Sequence, residues 1–116
     1  MVAQSEKKDI PLSIVIASGA GGEFLLRCLD SLRSQAASPG VEVIVVDRCG
    51  EEVISRISKE HPYVRLLRPD VSNHRPSVPE LRAQGVREAK GTVVAIVEEH
   101  CVVPTHWVET LSLIHI

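Results

Sequence analysis

The sequence predicts an α/β protein with a mostly parallel sheet covered by helices on both faces. Three observations carry that prediction. Near-continuous apolar runs recur at residues 12–17, 41–46, 64–67 and 93–97. None shows the strict in–out alternation of a half-solvated antiparallel strand. Between them lie stretches whose apolar residues recur at helical spacing. Strands buried on both faces and separated by helices belong to a parallel sheet with crossover connections.

Each element follows from local chemistry. The run Leu12-Ser13-Ile14-Val15-Ile16-Ala17 is the first strand, and the glycine-rich stretch 18–22 is the turn after it. A helix is expected over 23–35, where Leu25, Cys28, Leu29 and Leu32 form one apolar stripe. Ser38-Pro39-Gly40 makes a turn, and a second strand over 41–46 closes on Asp47. A short helix over 51–60 turns Val53, Ile54 and Ile57 inward. His61-Pro62 stops it, because the residue before proline is pushed out of the helical region. A third strand spans 64–67, and a polar loop spans 69–76. Ser77-Val78-Pro79-Glu80 has the form of a capped helix start, and Gly91 ends that helix after about residue 90. The fourth strand, 93–97, reads as a fully buried inner strand, and a last helix begins around Pro104-Thr105-His106-Trp107.

Composition narrows the function. The chain has 116 residues, enough for one small domain or part of a larger one. Phe24, Tyr63 and Trp107 are its only aromatics and its formal charge is −2, so it offers neither stacking platforms nor a basic footprint for nucleic acid. Cys28, Cys49 and Cys101 include no CxxC pair, which argues against a disulfide framework or a cysteine zinc site. No apolar stretch approaches the ~20 residues of a membrane-spanning helix. The N-terminal residues 1–10 form a polar leader without a signal core. The expectation is a cytoplasmic protein, with the inner face of the membrane left open for a full-length chain.

The chemistry gathers at Glu98-Glu99-His100-Cys101, just past the fourth strand. Open α/β sheets bind ligands at the carboxyl ends of their strands. In an extended stretch, residues two apart point the same way, so Glu98 and His100 face one ligand while Glu99 faces elsewhere. A carboxylate and an imidazole suit manganese or a water-rich magnesium site. The plain alternative is a strand that ends in solvated charge. Cys49 and Cys101 adjoin this site, but no histidine or acid at catalytic spacing marks either as a nucleophile.

The order of these pieces resembles the N-terminal half of family 2 glycosyltransferases, which adopt the Rossmann-like GT-A fold. The resemblance covers about residues 11–109. It rests on Pro11-Leu12-Ser13-Ile14-Val15-Ile16, on the helix Phe24-Leu25-Leu26-Arg27-Cys28-Leu29-Asp30-Ser31-Leu32, and on Val41-Glu42-Val43-Ile44-Val45-Val46-Asp47. Two further segments complete it: Leu81-Arg82-Ala83-Gln84-Gly85-Val86-Arg87-Glu88-Ala89-Lys90-Gly91, and Ala95-Ile96-Val97-Glu98-Glu99-His100 with Pro104 and Trp107 behind it. The chain departs from the family where a Pro-Thr-Tyr-Asn turn becomes Ala17-Ser18-Gly19-Ala20, where a second acid becomes Arg48, and where Asp-x-Asp becomes Glu98-x-His100. A branch with a Glu-Asp-His-Cys-like motif is similar at this last point.

The resemblance implies a donor-binding half that holds a nucleotide-diphosphate sugar. Ala17, Ser18, Asp47, Arg82 and Glu98 are the implied nucleotide contacts, and Glu98 and His100 the implied ligands of a manganese or magnesium ion. His100 has the alternative of donating to phosphate directly. Asp47 has that of a helix cap or solvated strand end, and Arg82 that of a solvated helix arginine. Asp47, Glu98 and His100 are expected to converge on one crevice. The acceptor's base is expected beyond the C-terminus, which makes the fragment inactive alone. Residues 11–110 form the N-terminal part of the transferase domain, truncated after the fourth strand and the following helix. Residues 111–116 read as a non-native tail, because Ser112-Leu113-Ile114-His115-Ile116 resembles translated sequencing adapter. Two other readings stay open: a non-catalytic fragment, and a dinucleotide-binding oxidoreductase domain. For the latter, Gly19 and Gly21 fit the glycine fingerprint, Phe24 breaks it, and Asp47 lies beyond the usual ~20-residue spacing.

Overall fold

The computed structural model describes the backbone of residues 10–36, 40–71 and 73–115, and side chains as far as residue 111. The expected leader up to residue 9 and the turn at 38–39 lie outside these residues. Strands and helices alternate as β1 (Leu12–Ser18), α1 (Gly22–Ala36), β2 (Val41–Asp47), α2 (Glu51–Glu60), β3 (Val64–Leu67), α3 (Val78–Glu88), β4 (Val93–Glu98) and α4 (Trp107–His115). The four strands form one sheet in the order β3-β2-β1-β4, with every pairing parallel.

Alternation along each strand divides the core into two layers. Ile14 and Ile16 of β1, with Val43 and Val45 of β2, pack under Leu25, Leu29 and Leu32 of α1. Ile57 of α2 and Val108 of α4 join this layer. Val15 and Ala17, with Ile44 and Val46, face the other way and meet Leu81 of α3. The result is the expected three-layer arrangement, with α1, α2 and α4 on one face and α3 on the other. A strand between two such layers must be apolar on both sides, which is why its sequence does not alternate.

Helix α3 is the most tightly specified. Ser77 and Glu80 form a complete capping box, in which the Ser77 hydroxyl accepts from the Glu80 N–H and the Glu80 carboxylate accepts from the Ser77 N–H. Gly85 lets the helix settle on the sheet, since a Cβ there would lie 2.4 Å from Cγ1 of Val15. At the amino ends of the strands, the buried Ser13 hydroxyl donates to Glu42 at 2.6 Å and accepts from the Gly91 N–H at 2.7 Å. This closes the turn between α3 and β4.

One expectation about the sheet needs correction. The run 93–97 does not form a fully buried inner strand. Among the described residues β4 pairs only with β1, and Ile96 is 52% exposed. The reason is the footprint of α3, which packs on β1 and β2 and covers Val94 only in part, leaving Ile96 on the same face of β4 open. The opposite face is covered: Val97 is buried within the α1 layer. At the C-terminus, residues 111–115 continue the helix α4, and Ile116 lies outside the described residues. Among the described residues no helix is long and apolar enough to cross a membrane.

Candidate functional site

The strand order creates a crevice. From β1 through β3 the chain winds to one side of β1, with its crossover helices on one face. It then crosses the other face through α3 and delivers β4 to the opposite side of β1. Strands β1 and β4 therefore leave the sheet on either side of a topological switch point, where α/β sheets bind ligands. A cleft of about 200 Å³ opens there, lined by Ala17, Val78, Arg82, Glu98, Glu99 and His100. Ala17 pairs in register with Glu98, so both side chains belong to the α3 face. Ala17 supplies a small floor, and Val78, in the first turn of α3, supplies an apolar wall.

Arg82 and Glu98 face each other across the cleft, with Nη2 and Oε2 3.8 Å apart. Glu98 is 68% exposed at its side chain, so this pair is loose and well hydrated. Arg82 Nε is buried without a hydrogen-bond partner among the described residues. Buried polar atoms are almost always paired, so an orphan donor beside an open cleft marks a place for an acceptor. His100 completes the rim. Its ring meets Phe24 edge-to-face, with centroids 4.7 Å apart. Phe24 is itself 51% exposed, an apolar ring held at the surface beside a polar cleft.

The expected set of site residues divides in two. Ala17, Arg82, Glu98 and His100 come together. Ser18 and Asp47 do not join them: they pair in register with each other and share the parity of Ile16 and Val45, so they belong to the α1 face. The expected convergence of Asp47 with Glu98 and His100 is therefore corrected. Both strands end at the same edge of the sheet, but successive side chains point to opposite faces and Asp47 has the other parity. Asp47 is 2% exposed, and its Oδ2 accepts from the N–H of Gly50 at 3.1 Å, just ahead of α2. This bond ties the strand end to Gly50, the N-cap residue of α2, which has no side-chain cap. Its Oδ1 has no hydrogen-bond partner among the described residues.

Glu99 is the residue that sequence reasoning undervalued. It does turn away from Glu98 and His100, but it is buried and engaged. Its carboxylate accepts from the backbone N–H groups of Gly19 at 2.9 Å, Ala20 at 2.8 Å and Gly21 at 3.1 Å. Successive amides converging on one anion form a nest. The sequence held half of this signal in its glycine-rich turn, whose Gly19 and Gly21 also fit part of a dinucleotide-binding fingerprint. The structure gives those amides to the chain's own carboxylate instead. Arg48, which stands where the family has an acid, bridges the same turn to the start of α3 by donating to the carbonyls of Gly19 and Pro76.

Residues 98–101 close a turn in which the Cys101 N–H donates to the Glu98 carbonyl at 3.0 Å. Glu98 and His100 thus reach the cleft from the two sides of a turn rather than along an extended strand. Burial works against thiolate character at two of the cysteines. Burial pushes the Cys28 thiol up to about 11, and burial followed by the Asp47 charge raises that of Cys49. A larger hollow of about 470 Å³ lies at the amino ends of β1 and β2, lined by Pro11, Leu12 and Val41 with His106 and Glu109. It is far from the converging polar groups, and chemistry favours the smaller cleft.

The donor set fits a divalent cation only in company. Among the described residues no group of three His, Cys, Asp or Glu side chains surrounds a common point. Glu98 and His100 supply one oxygen and one nitrogen. Magnesium and manganese at such sites take their remaining positions from phosphate oxygens and water, so two protein donors beside an arginine are compatible with them.

Residues 13–112 match the model of glycosyl transferase family 2. The chain belongs to that family. No curated protein sequence matches it. The fold is similar to that of S. aureus TarS residues 1–349, with a TM-score of 0.75 at 16% identity over 89% of this chain and 31% of that one. It is also similar to the mannosyltransferase PcManGT from Pyrobaculum calidifontis, determined in complex with GDP-Man and Mn2+. There the TM-score is 0.66 at 21% identity, over 87% of this chain and 30% of that one. The chain thus spans about a third of the length of these structures and carries the corresponding part of a GT-A fold.

Proposed function

We propose that this chain is the donor-binding half of a glycosyltransferase that moves a sugar from a nucleoside diphosphate to an acceptor. The observation that carries the reading is the constellation of Arg82, Glu98 and His100 at the β1/β4 switch point. A departing diphosphate gains negative charge, and a guanidinium together with a divalent cation neutralises it. Arg82, with its unused Nε, takes the phosphate oxygens. Glu98 and His100 hold the cation, which when bound supplies Lewis-acid stabilisation of the leaving group. Ala17 leaves room at the floor of the cleft. The GDP-Man and Mn2+ of the Pyrobaculum calidifontis mannosyltransferase support a nucleotide-sugar donor and a divalent cation; the reading is a guanosine or uridine diphosphate with manganese or magnesium.

The dinucleotide-binding alternative is disfavoured by the β1 turn, where a pyrophosphate would need the amides that Glu99 already occupies. Calorimetry on the full-length protein tests the proposal. GDP or UDP binds in the presence of Mn2+, chelation of the metal removes most of that binding, and Glu98→Ala weakens it by about tenfold or more. Binding of NAD with no nucleoside diphosphate binding under any divalent cation overturns the reading.

A further inference from the structure

Glu99 sits between the two expected metal ligands, yet its carboxylate is held by backbone amides of the turn after β1. It is buried, and it lies under four N–H···O contacts from three consecutive residues: Gly19 to Oε1, Ala20 to both oxygens, and Gly21 to Oε2. These residues are about eighty positions away in sequence, in the turn that opens α1. A buried carboxylate is tolerated only when it is hydrogen-bonded, and the amides in turn need an acceptor. Each side thus satisfies the other.

The consequence reaches the cleft. Glu99 lies inside the turn 98–101, with Glu98 on one flank and His100 on the other. Once its carboxylate is docked in the nest, that turn cannot swing or slide. The backbone directions of both neighbours are then set relative to β1. The nest itself is shaped by position. Gly21 has a φ of 64°, and a Cβ there would lie 2.9 Å from the Cys49 sulfur, so the amide array depends on glycine.

We propose that Glu99 is a positioning residue: as the internal anion of the Gly19–Gly21 amide nest, it locks the turn that presents Glu98 and His100 to the cleft. It also determines specificity, because an occupied nest forces an incoming diphosphate toward Arg82 and the cation and away from the helix start. This inference rests on the transferase reading for its functional consequence and on the hydrogen bonds alone for its geometry.

The experiment uses the full-length protein with Glu99→Ala, Glu99→Gln and the wild type, each checked for folding by thermal unfolding. Amide resonances of Gly19, Ala20 and Gly21 and the ring resonances of His100 report the geometry. Mn2+-dependent GDP or UDP binding reports the consequence. Glu99→Ala is expected to shift all these resonances and to weaken nucleotide binding by about tenfold to a hundredfold, the range for groups that orient metal ligands. Added acetate, a carboxylate small enough to refill the nest, is expected to restore the Gly19, Ala20 and Gly21 resonances in Glu99→Ala but, having no link to the turn, to leave the His100 resonances and nucleotide binding impaired. Recovery of nucleotide binding by acetate would show that filling the nest is enough and overturns the locking role, as do unchanged resonances or unchanged binding in a folded Glu99→Ala variant. If Glu99→Ala does not fold, Glu99→Gln decides. It keeps the volume but loses the charge, and wild-type shifts and binding in Glu99→Gln refute the internal-anion role. If the wild type binds no nucleoside diphosphate, the transferase reading fails, while the resonances and their response to acetate still decide the anchor.

Discussion

Gly85→Ala is a sharp test of how α3 holds Arg82 over the cleft. On helix propensity alone the change stabilises, since alanine is favoured over glycine by about 1 kcal/mol in a helix interior. The packing opposes it. The new methyl would lie 2.4 Å from Val15 Cγ1 and 3.3 Å from Val46 Cγ2. Carbon atoms pack at about 3.5–4.0 Å, so the overlap with Val15 exceeds about 1 Å. Val15 and Val46 are fully buried, and Val15 lies in the central strand, so neither β-branched side chain can swing clear. Overpacking of this kind costs about 1–3 kcal/mol, and so large an overlap belongs at the upper end. The net expectation is a loss of about 1–2 kcal/mol, with α3 pushed outward. Arg82 lies three positions along the same helix, so nucleotide affinity falls with it. Urea unfolding provides the measurement: the midpoint should drop with an unchanged slope. In a Val15→Ala background, which makes room for the methyl, the penalty should shrink and expose a coupling between the two sites. A neutral or stabilising Gly85→Ala in the wild-type background would refute the argument.

Two further outcomes concern stability. Replacing Ser77 by alanine removes the hydroxyl that accepts from the Glu80 N–H, and should cost about 1 kcal/mol in urea unfolding, with Ser77→Asp retaining most of it. His61 is fully buried, with Nδ1 against the Tyr63 hydroxyl at 3.0 Å and Nε2 3.3 Å from Asp30. Burial first, and the Arg33 charge second, lower its pKa below the ordinary value, against the opposing charges of Asp30 and Glu60. The unfolded chain therefore takes up this proton first as pH falls. The contribution is present above an unfolded value of about 6.5 and is lost as pH falls through the lower folded one. Thermal unfolding should show that acid limb, and His61→Phe should flatten it.

Much of the architecture was legible because it is written in local patterns. Apolar runs, the stripe on α1, the Ser77 capping box and the glycine stops are each decided within a few residues. Their order carried the family resemblance, and the match over residues 13–112 agrees with it. The end of β4 stood out because acids and an imidazole directly follow an apolar run. The sequence alone therefore determined which segments are strands, which are helices, and that Glu98 ends a strand with His100 just beyond it.

What needed the tertiary structure was everything set by position across the sheet. Strand order left Ile96 of β4 exposed on the α3 face and put the crevice between β1 and β4. Side-chain parity sent Asp47 to the α1 face and Glu98 to the face of Arg82, while the turn after β4 brought His100 to the rim beside them; one residue of register is enough to reverse such an assignment. Glu99 and the Gly19–Gly21 amides are joined by hydrogen bonds between residues about eighty positions apart. Such a pairing leaves no trace in local composition, because each partner reads as ordinary alone: a strand-end acid, and a glycine turn. Only the fold, by bringing the ends of β1 and β4 side by side, makes one the counterpart of the other.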